Sequence, residues 1–415
     1  SAMSVLHEIA AELAEQEFRA RQGLGTATNK AITRDLTKWG VGRVCADLAL
    51  RYMKARVSGN AAALAKLNDE FIAGTCDPAW AKTIDEYLAY FGPGGAQNEI
   101  PYIRAADVGP KVIEIKAAAK LAIVGDWGTG AQPAIQVLKH IAATEPDFMI
   151  HLGDIYYSGT PLECQVNFLD PINKILRAGD RITNVFTLSG NHDMYCGGVG
   201  YYDLIKKLNP APFVQPASFF CLRSADEKWQ FLAMDTGLHD NSPMSVSETL
   251  TYIEPDELEW HRQRIEEFPG KTILLSHHQL FSAYSSIGSA VDGKRSPLNP
   301  RLHEAFKLLV QSNKISAWLW GHEHTLSIYE PFAGLRRGRC VGHGAVPTSI
   351  LDKIYEPLPD LSETPMIKGD TELGKVGGVY AHGYAILNLQ QSLCKAAYYQ
   401  DAGGRSDLVF EETLD

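Results

Sequence analysis

The chain reads as an α/β fold: a buried, largely parallel sheet wrapped by helices, behind a helical N-terminal extension. Three observations predict it. From Lys120 onward, apolar runs of strand length alternate with amphipathic segments of helix length, the pattern of strands joined by helical crossovers. Ahead of Gly92-Pro93-Gly94-Gly95, apolar residues recur at helical spacing instead. After His324 the pattern turns strand-rich, enough to complete a second sheet.

The elements follow in order. Residues 4–14, 44–52, 61–71 and 83–91 read as helices with no metal or nucleotide motif, so we expect a helical cap. The division is then 1–110 for the helical region and 111–415 for a catalytic domain. Strands are expected at 121–124, 147–152, 182–188, 231–234, 272–275 and 316–320, with helices at 131–143, 166–176, 255–268 and 301–309. Later strands are expected at 384–389 and 395–399. Two long loops stand out: 281–300, rich in Ser and Gly with Lys294 and Arg295, and 352–378, rich in acids and Pro. Loops of that length are either functional or plain surface.

The bulk properties narrow the class. A length of 415 residues exceeds what one core usually holds. Hydrophobic residues at 45% and charged residues at 21% suit a globular enzyme. The net charge of −10 disfavours nucleic acid and acidic membrane surfaces as partners. Seven scattered cysteines without a CxxC pair suggest neither a zinc ribbon nor a disulfide framework. With no signal-peptide pattern and no apolar run long enough to span a bilayer, the expectation is a cytoplasmic protein.

Five short motifs carry the chemistry: Gly125-Asp126-Trp127-Gly128, Gly153-Asp154-Ile155-Tyr156-Tyr157, Gly190-Asn191-His192-Asp193, Ser276-His277-His278 and Gly321-His322-Glu323-His324. Each alone is weak, since Gly-Asp and Asn-His occur in ordinary turns. Each follows a strand-like run, however, and ligands of such sheets gather beyond the strand carboxyl ends. Asp154 is the candidate to bridge two metal ions, because a carboxylate has two oxygens and Gly153 removes bulk beside it. The Asn191 oxygen can bind a cation without adding charge, and His192 can point at the substrate. Strand spacing puts His322 and His324 on one side, with Glu323 facing away in a structural role. Of His277 and His278 one should be a ligand; His277 is favoured, with His278 lining the pocket. Asp235-Thr236-Gly237 is read as structural, and His343 in Gly342-His343-Gly344 as a surface histidine.

The set resembles the calcineurin-like metallophosphoesterase superfamily over about residues 120 to 400. Its common first motif is Asp-x-His; here Asp126-Trp127-Gly128 lacks the histidine. The purple acid phosphatases share that departure and place a tyrosine three residues after the bridging aspartate, where Tyr157 stands. The resemblance implies a double β-sheet sandwich flanked by helices (α/β/β/α) with two metal ions. Asp126, Asp154, Tyr157 and His324 would hold the first, and Asp154, Asn191, His277 and His322 the second. A register shift of one residue would exchange Tyr157 for Tyr156. His192 would contact the phosphate and assist the leaving group, Asp193 would orient His192, and His278 would line the substrate pocket. Two carboxylates, a phenolate and a bridging hydroxide balance Fe(III) plus a divalent ion with one positive charge to spare. Fe(III) is therefore expected at the tyrosine side, with Fe, Zn or Mn beside it. The implied activity is hydrolysis of phosphate monoesters by a metal-bridging hydroxide. The alternatives are a phosphodiesterase acting on cyclic nucleotides or glycerophosphodiesters, and a non-catalytic binding scaffold.

Overall fold

The structure, a computed structural model, describes residues 99–179, 182–242, 249–287, 290 and 292–415, with 61–63, 83, 86, 87, 89–91, 95 and 96. The helices expected at 4–14 and 44–52 lie outside the described residues. Within the segments expected at 61–71 and 83–91, residues 61–63, 83, 86, 87 and 89–91 are helical. No helix among the described residues is long and apolar enough to cross a membrane.

The strands are β1 (Ile113–Ile115), β2 (Lys120–Val124), β3 (Phe148–His151), β4 (Asn184–Thr187), β5 (Phe220–Ser224), β6 (Trp229–Ala233), β7 (Lys271–Leu275), β8 (Ile315–Trp320), β9 (Leu326–Ile328), β10 (Gly338–Val341), β11 (Lys375–Val376), β12 (Val379–Tyr380), β13 (Gly383–Gln390), β14 (Leu393–Asp401) and β15 (Ser406–Leu414). The helices are α1 (Ala105–Val108), α2 (Gln132–Ala143), α3 (Pro161–Glu163), α4 (Asn191–Met194), α5 (Val199–Lys207), α6 (Pro255–Glu266) and α7 (Pro300–Leu309). The helix expected at 166–176 is instead two wide-turned π-helical segments, Cys164–Leu169 and Ile172–Leu176.

Two large sheets form. One has the order β15-β14-β13-β2-β3-β4 and the other β1-β5-β6-β7-β8-β10-β9. In the first, β2, β3 and β4 are parallel, and β13 to β15 add antiparallel strands on the far side of β2. In the second, β6, β7, β8 and β10 are parallel, β9 runs antiparallel to β10, and β5 runs antiparallel to β6 but parallel to β1. Both sheets are therefore mixed: the second is largely parallel as expected, while in the first the antiparallel pairs outnumber the parallel ones. Strands after His324 complete the two large sheets, both of which begin before that residue. β13 to β15 complete the sheet of β2, and β9 and β10 join that of β8. Local apolar pattern marks a strand; its partner is chosen by long-range burial.

Alternation along each strand explains the layers. In β2, Leu121 and Ile123 point into a core between the sheets, packed with Leu319 and Ile273 from the opposite sheet. Ala122 and Val124 point the other way, onto Val137, Leu138 and Ile141 of α2. In β8, Ala317 and Leu319 enter the central core, while Trp318 and Trp320 face Leu302, Phe306 and Leu309 of α7. Each fully buried aliphatic side chain contributes about 1.5–3 kcal/mol. The result is helices, sheet, sheet, helices. Helix starts are well marked: Asn299 accepts hydrogen bonds from the Arg301 and Leu302 amides, with Pro300 opening α7.

Candidate metal centre and active site

The motif loops of both sheets meet at one rim. β2 and β3 deliver Asp126 and Asp154, and β4 leads into Asn191 on α4. β7 delivers His277, and β8 delivers His322 and His324. Asp126, Asp154 and His322 have φ of 55°, 74° and 67°. Left-handed backbone at non-glycine residues costs about 1–3 kcal/mol each and persists where surroundings hold it. Here they do: the His322 amide donates to Asp126 Oδ2 at 2.9 Å, and the His192 amide to Asp154 Oδ1 at 3.0 Å. A Cβ at Gly190 would lie 2.1 Å from Asp154 Oδ1, so only glycine fits.

Two donor groups result, sharing Asp154. In the first, the Tyr156 hydroxyl lies 3.1 Å from Asp126 Oδ1, 3.2 Å from Asp154 Oδ2 and 3.2 Å from His324 Nε2. In the second, Asn191 Oδ1 lies 3.1 Å from both His277 Nε2 and His322 Nδ1, and those two nitrogens are 3.2 Å apart. His277 Nε2 also lies 3.4 Å from Asp154 Oδ2.

These atoms fit metal ions better than they fit one another. One hydroxyl hydrogen on Tyr156 faces three atoms that carry lone pairs. The His277 Nδ1 proton goes to the Leu152 carbonyl at 2.8 Å, which turns the Nε2 lone pair of a neutral ring toward the Asn191 oxygen. A backbone carbonyl on the outer nitrogen is the usual support of a metal-binding histidine. The Asn191 oxygen is aimed by its own amide, which donates to Tyr195 Oη at 2.6 Å. His324 Nδ1 is buried with no partner. Electrostatics ask for positive charge. Burial opposes a charge on His277, yet Asp154 raises it to about 9. Burial, then Asp126 and Asp154, hold the Tyr156 hydroxyl well above its ordinary range, so a phenolate there requires a cation beside it. Asp126–Asp154–His277 and His277–His278–His322 each bring ligand atoms within 4.8 Å of one another.

Three expectations change. The tyrosine whose hydroxyl reaches the carboxylates is Tyr156, not Tyr157. The loop backbone decides this: the Asp154 and Ile155 amides donate to Asp193, and the Tyr157 and Ser158 amides to Glu163. Tyr157 instead offers its carbonyl to His192 Nδ1 at 2.6 Å. That bond, not Asp193, orients His192; the Asp193 carboxylate is taken up by the Gly190, Asp154 and Ile155 amides. His278 packs 4.4 Å from the His322 ring, but both its nitrogens are engaged within the protein. Thr236 Oγ1 lies 3.0 Å from Nδ1 and Asp240 Oδ2 3.1 Å from Nε2, so it supports His322 rather than offering a nitrogen to substrate. Outside the site, His343 is buried and bonds the Tyr399 carbonyl at 3.0 Å; it is not a surface residue. Asp235 closes a turn, accepting from Ser189 Oγ and the Gly237 and Leu238 amides.

Tyr195, Glu163, Thr236 and Asp240 escaped the sequence reading. Tyr195 carried a signal, four residues after Asn191 at helical spacing, and so did Glu163, three residues after Thr160 in a capping-box pattern.

Metal-donor groups converging at one rim of a two-sheet sandwich suit metal-assisted hydrolysis. Residues 119–326, half of the chain, match the model of the calcineurin-like phosphoesterase family, and the chain belongs to that family. No curated protein matches it by sequence. Similar solved structures include GAP50, the anchor in the inner membrane complex of Plasmodium, at 14% identity over 72% of this chain and 89% of that one, with a TM-score of 0.49. Purple acid phosphatase PPD1 from yellow lupin is 15% identical over 72% of this chain and 54% of that one, with a TM-score of 0.49. A dimetal phosphatase from Danio rerio is 13% identical over 72% and 99%, with a TM-score of 0.47. At these values the likenesses add nothing to the family assignment.

Proposed function

We propose that this hydrolase acts on phosphate monoesters of small molecules, with two adjacent metal ions that share Asp154. The observation that carries the reading is the place of Asp154 in both donor groups, 3.2 Å from Tyr156 Oη on one side and 3.4 Å from His277 Nε2 on the other. Asp126, Tyr156 and His324 would complete one metal's ligands; Asn191, His277 and His322 would complete the other's. The first group holds two carboxylates and a phenol, hard oxygen donors that suit Fe(III). The second is rich in imidazole and suits Fe, Zn or Mn in the divalent state. When bound, such ions lower the pKa of water and neutralise charge on the phosphoryl oxygens.

The protein's own residues do the rest. The Asp193 carboxylate gathers three amides and keeps the Asp154 loop in place. His192 is buried, its backbone amide tied to Asp154 and its Nδ1 to the Tyr157 carbonyl. With Nδ1 donating to the Tyr157 carbonyl, Nε2 is the nitrogen that would meet the ester oxygen, and it would hand the leaving alcohol a proton from the imidazolium form, which burial disfavours and Asp154 favours.

The test is the ratio of kcat/KM for an aryl phosphate monoester over the matching diester, with iron and a divalent metal restored. A ratio well above one supports the monoesterase. A ratio below one overturns it in favour of a phosphodiesterase.

A further inference from the structure

Glu323 stands between two of the site's histidines but faces away from them. It is buried, and its Oε1 accepts from Ser282 Oγ at 2.7 Å and from Ser285 Oγ. Ser282 Oγ also accepts the Tyr284 and Ser285 amides, at 2.9 and 3.1 Å. Glu323 thus organises a tight turn at the root of the loop that leaves the carboxyl end of β7, directly after His277 and His278.

That loop returns on itself. Phe281 and Leu298 form an antiparallel bridge, the Ser282 amide donates to the Pro297 carbonyl at 2.8 Å, and the Ile287 amide to the Ser296 carbonyl at 2.8 Å. The other long loop runs beside it. The Arg295 amide donates to the Asp360 carbonyl at 2.8 Å, the Ser362 amide to the Arg295 carbonyl at 2.9 Å, and the Leu358 amide to the Ala283 carbonyl at 2.9 Å. Tyr284 and Tyr355 meet edge to face at 6.0 Å. Just ahead of the second loop in the chain, Thr348 Oγ1 donates to the His324 carbonyl at 3.5 Å. The two loops are hydrogen-bonded into one unit, and the first leaves the carboxyl end of β7 directly after His277 and His278.

Resting on the monoesterase reading, the geometry points to this paired-loop unit as the wall that contacts the leaving group, with Glu323 as the positioning residue that ties it to His322 and His324. The donor groups account for the phosphoryl end of a substrate. A loop leaving the same strand end, with the second loop bonded to it, is placed to meet whatever the phosphate is attached to. The bonded pair of serines fixes where that wall stands.

The test uses the double variant Ser282→Ala/Ser285→Ala in the full chain. It compares phenyl phosphate with 1-naphthyl phosphate, alongside metal content and amide hydrogen exchange over residues 281–287 and 358–362. Exchange should quicken in both segments and metal content should hold. KM for the naphthyl ester should rise about tenfold, with KM for the phenyl ester within about twofold, as expected when binding energy to the leaving group alone is lost. Glu323→Gln, which keeps an acceptor oxygen, should retain the wild-type ratio of KM values. An equal change for both esters, or none despite faster exchange, would overturn the wall. Unchanged exchange would overturn the clamp. Failure of the unsubstituted protein to hydrolyse either ester would instead sink the monoesterase reading, while the exchange rates would still decide the clamp.

Discussion

The two donor groups share a carboxylate but differ in everything else. The Tyr156 side is built from oxygen: Asp126, Asp154 and a phenol, with one imidazole. The Asn191 side is built from two imidazoles and a neutral amide. The first group comes almost wholly from loops of the β2 sheet, with His324 reaching across; in the second, the imidazoles come from the β7 and β8 loops of the opposite sheet. A sandwich closing at its rim therefore brings together two unlike sites, and the difference is one of charge and hardness rather than of size. Under the proposed function, two different metal ions would occupy them.

The strongest way to break this contrast is at the phenol. Tyr156→Phe should abolish the visible colour expected of an oxidised iron-phenolate and lower iron retention, while Tyr157→Phe should keep both. Visible absorption of the two variants checks it. Colour lost in Tyr157→Phe and kept in Tyr156→Phe would return the ligand to the residue that sequence spacing first suggested.

A smaller effect should sharpen the other side. Tyr195→Phe leaves the Asn191 ligand in place but frees the amide that aims it. Loss of such an orienting partner typically weakens metal affinity about 10–100-fold. Metal titration followed by activity should show weaker binding of the divalent ion, with the iron colour unchanged. Loss of colour together with affinity would show that the two groups are not separable.

How much of this was legible beforehand depends on the range of the forces involved. The strand ends and the motif histidines were readable because apolar runs and the residues that follow them are local signals. β8, with Ala317-Trp318-Leu319-Trp320 before His322, is the clearest case. The choice between Tyr156 and Tyr157 was not readable. Adjacent tyrosines have the same chemistry, and the decision falls to Asp193 and Glu163 capturing amides across the loop. The place of β13 beside β2 was hidden for the same reason, since Lys120 and its partner Asn388 lie 268 positions apart in the sequence. β15 was missed because Ser406–Leu414 alternates exposed and half-buried positions, carries acids and sits at a sheet edge. His343 looked like a surface residue between glycines; those glycines instead let neighbouring backbone approach closely. A Cβ at Gly342 would lie 2.0 Å from the Glu323 carbonyl oxygen.

The central claim is that Asp154 joins two metal positions. Elemental analysis of metal per chain, on the reconstituted protein and on Asp154→Ala, tests it most directly. The account predicts two ions per chain and loss of both in the variant. One ion per chain, or a variant that keeps its full complement, would contradict it.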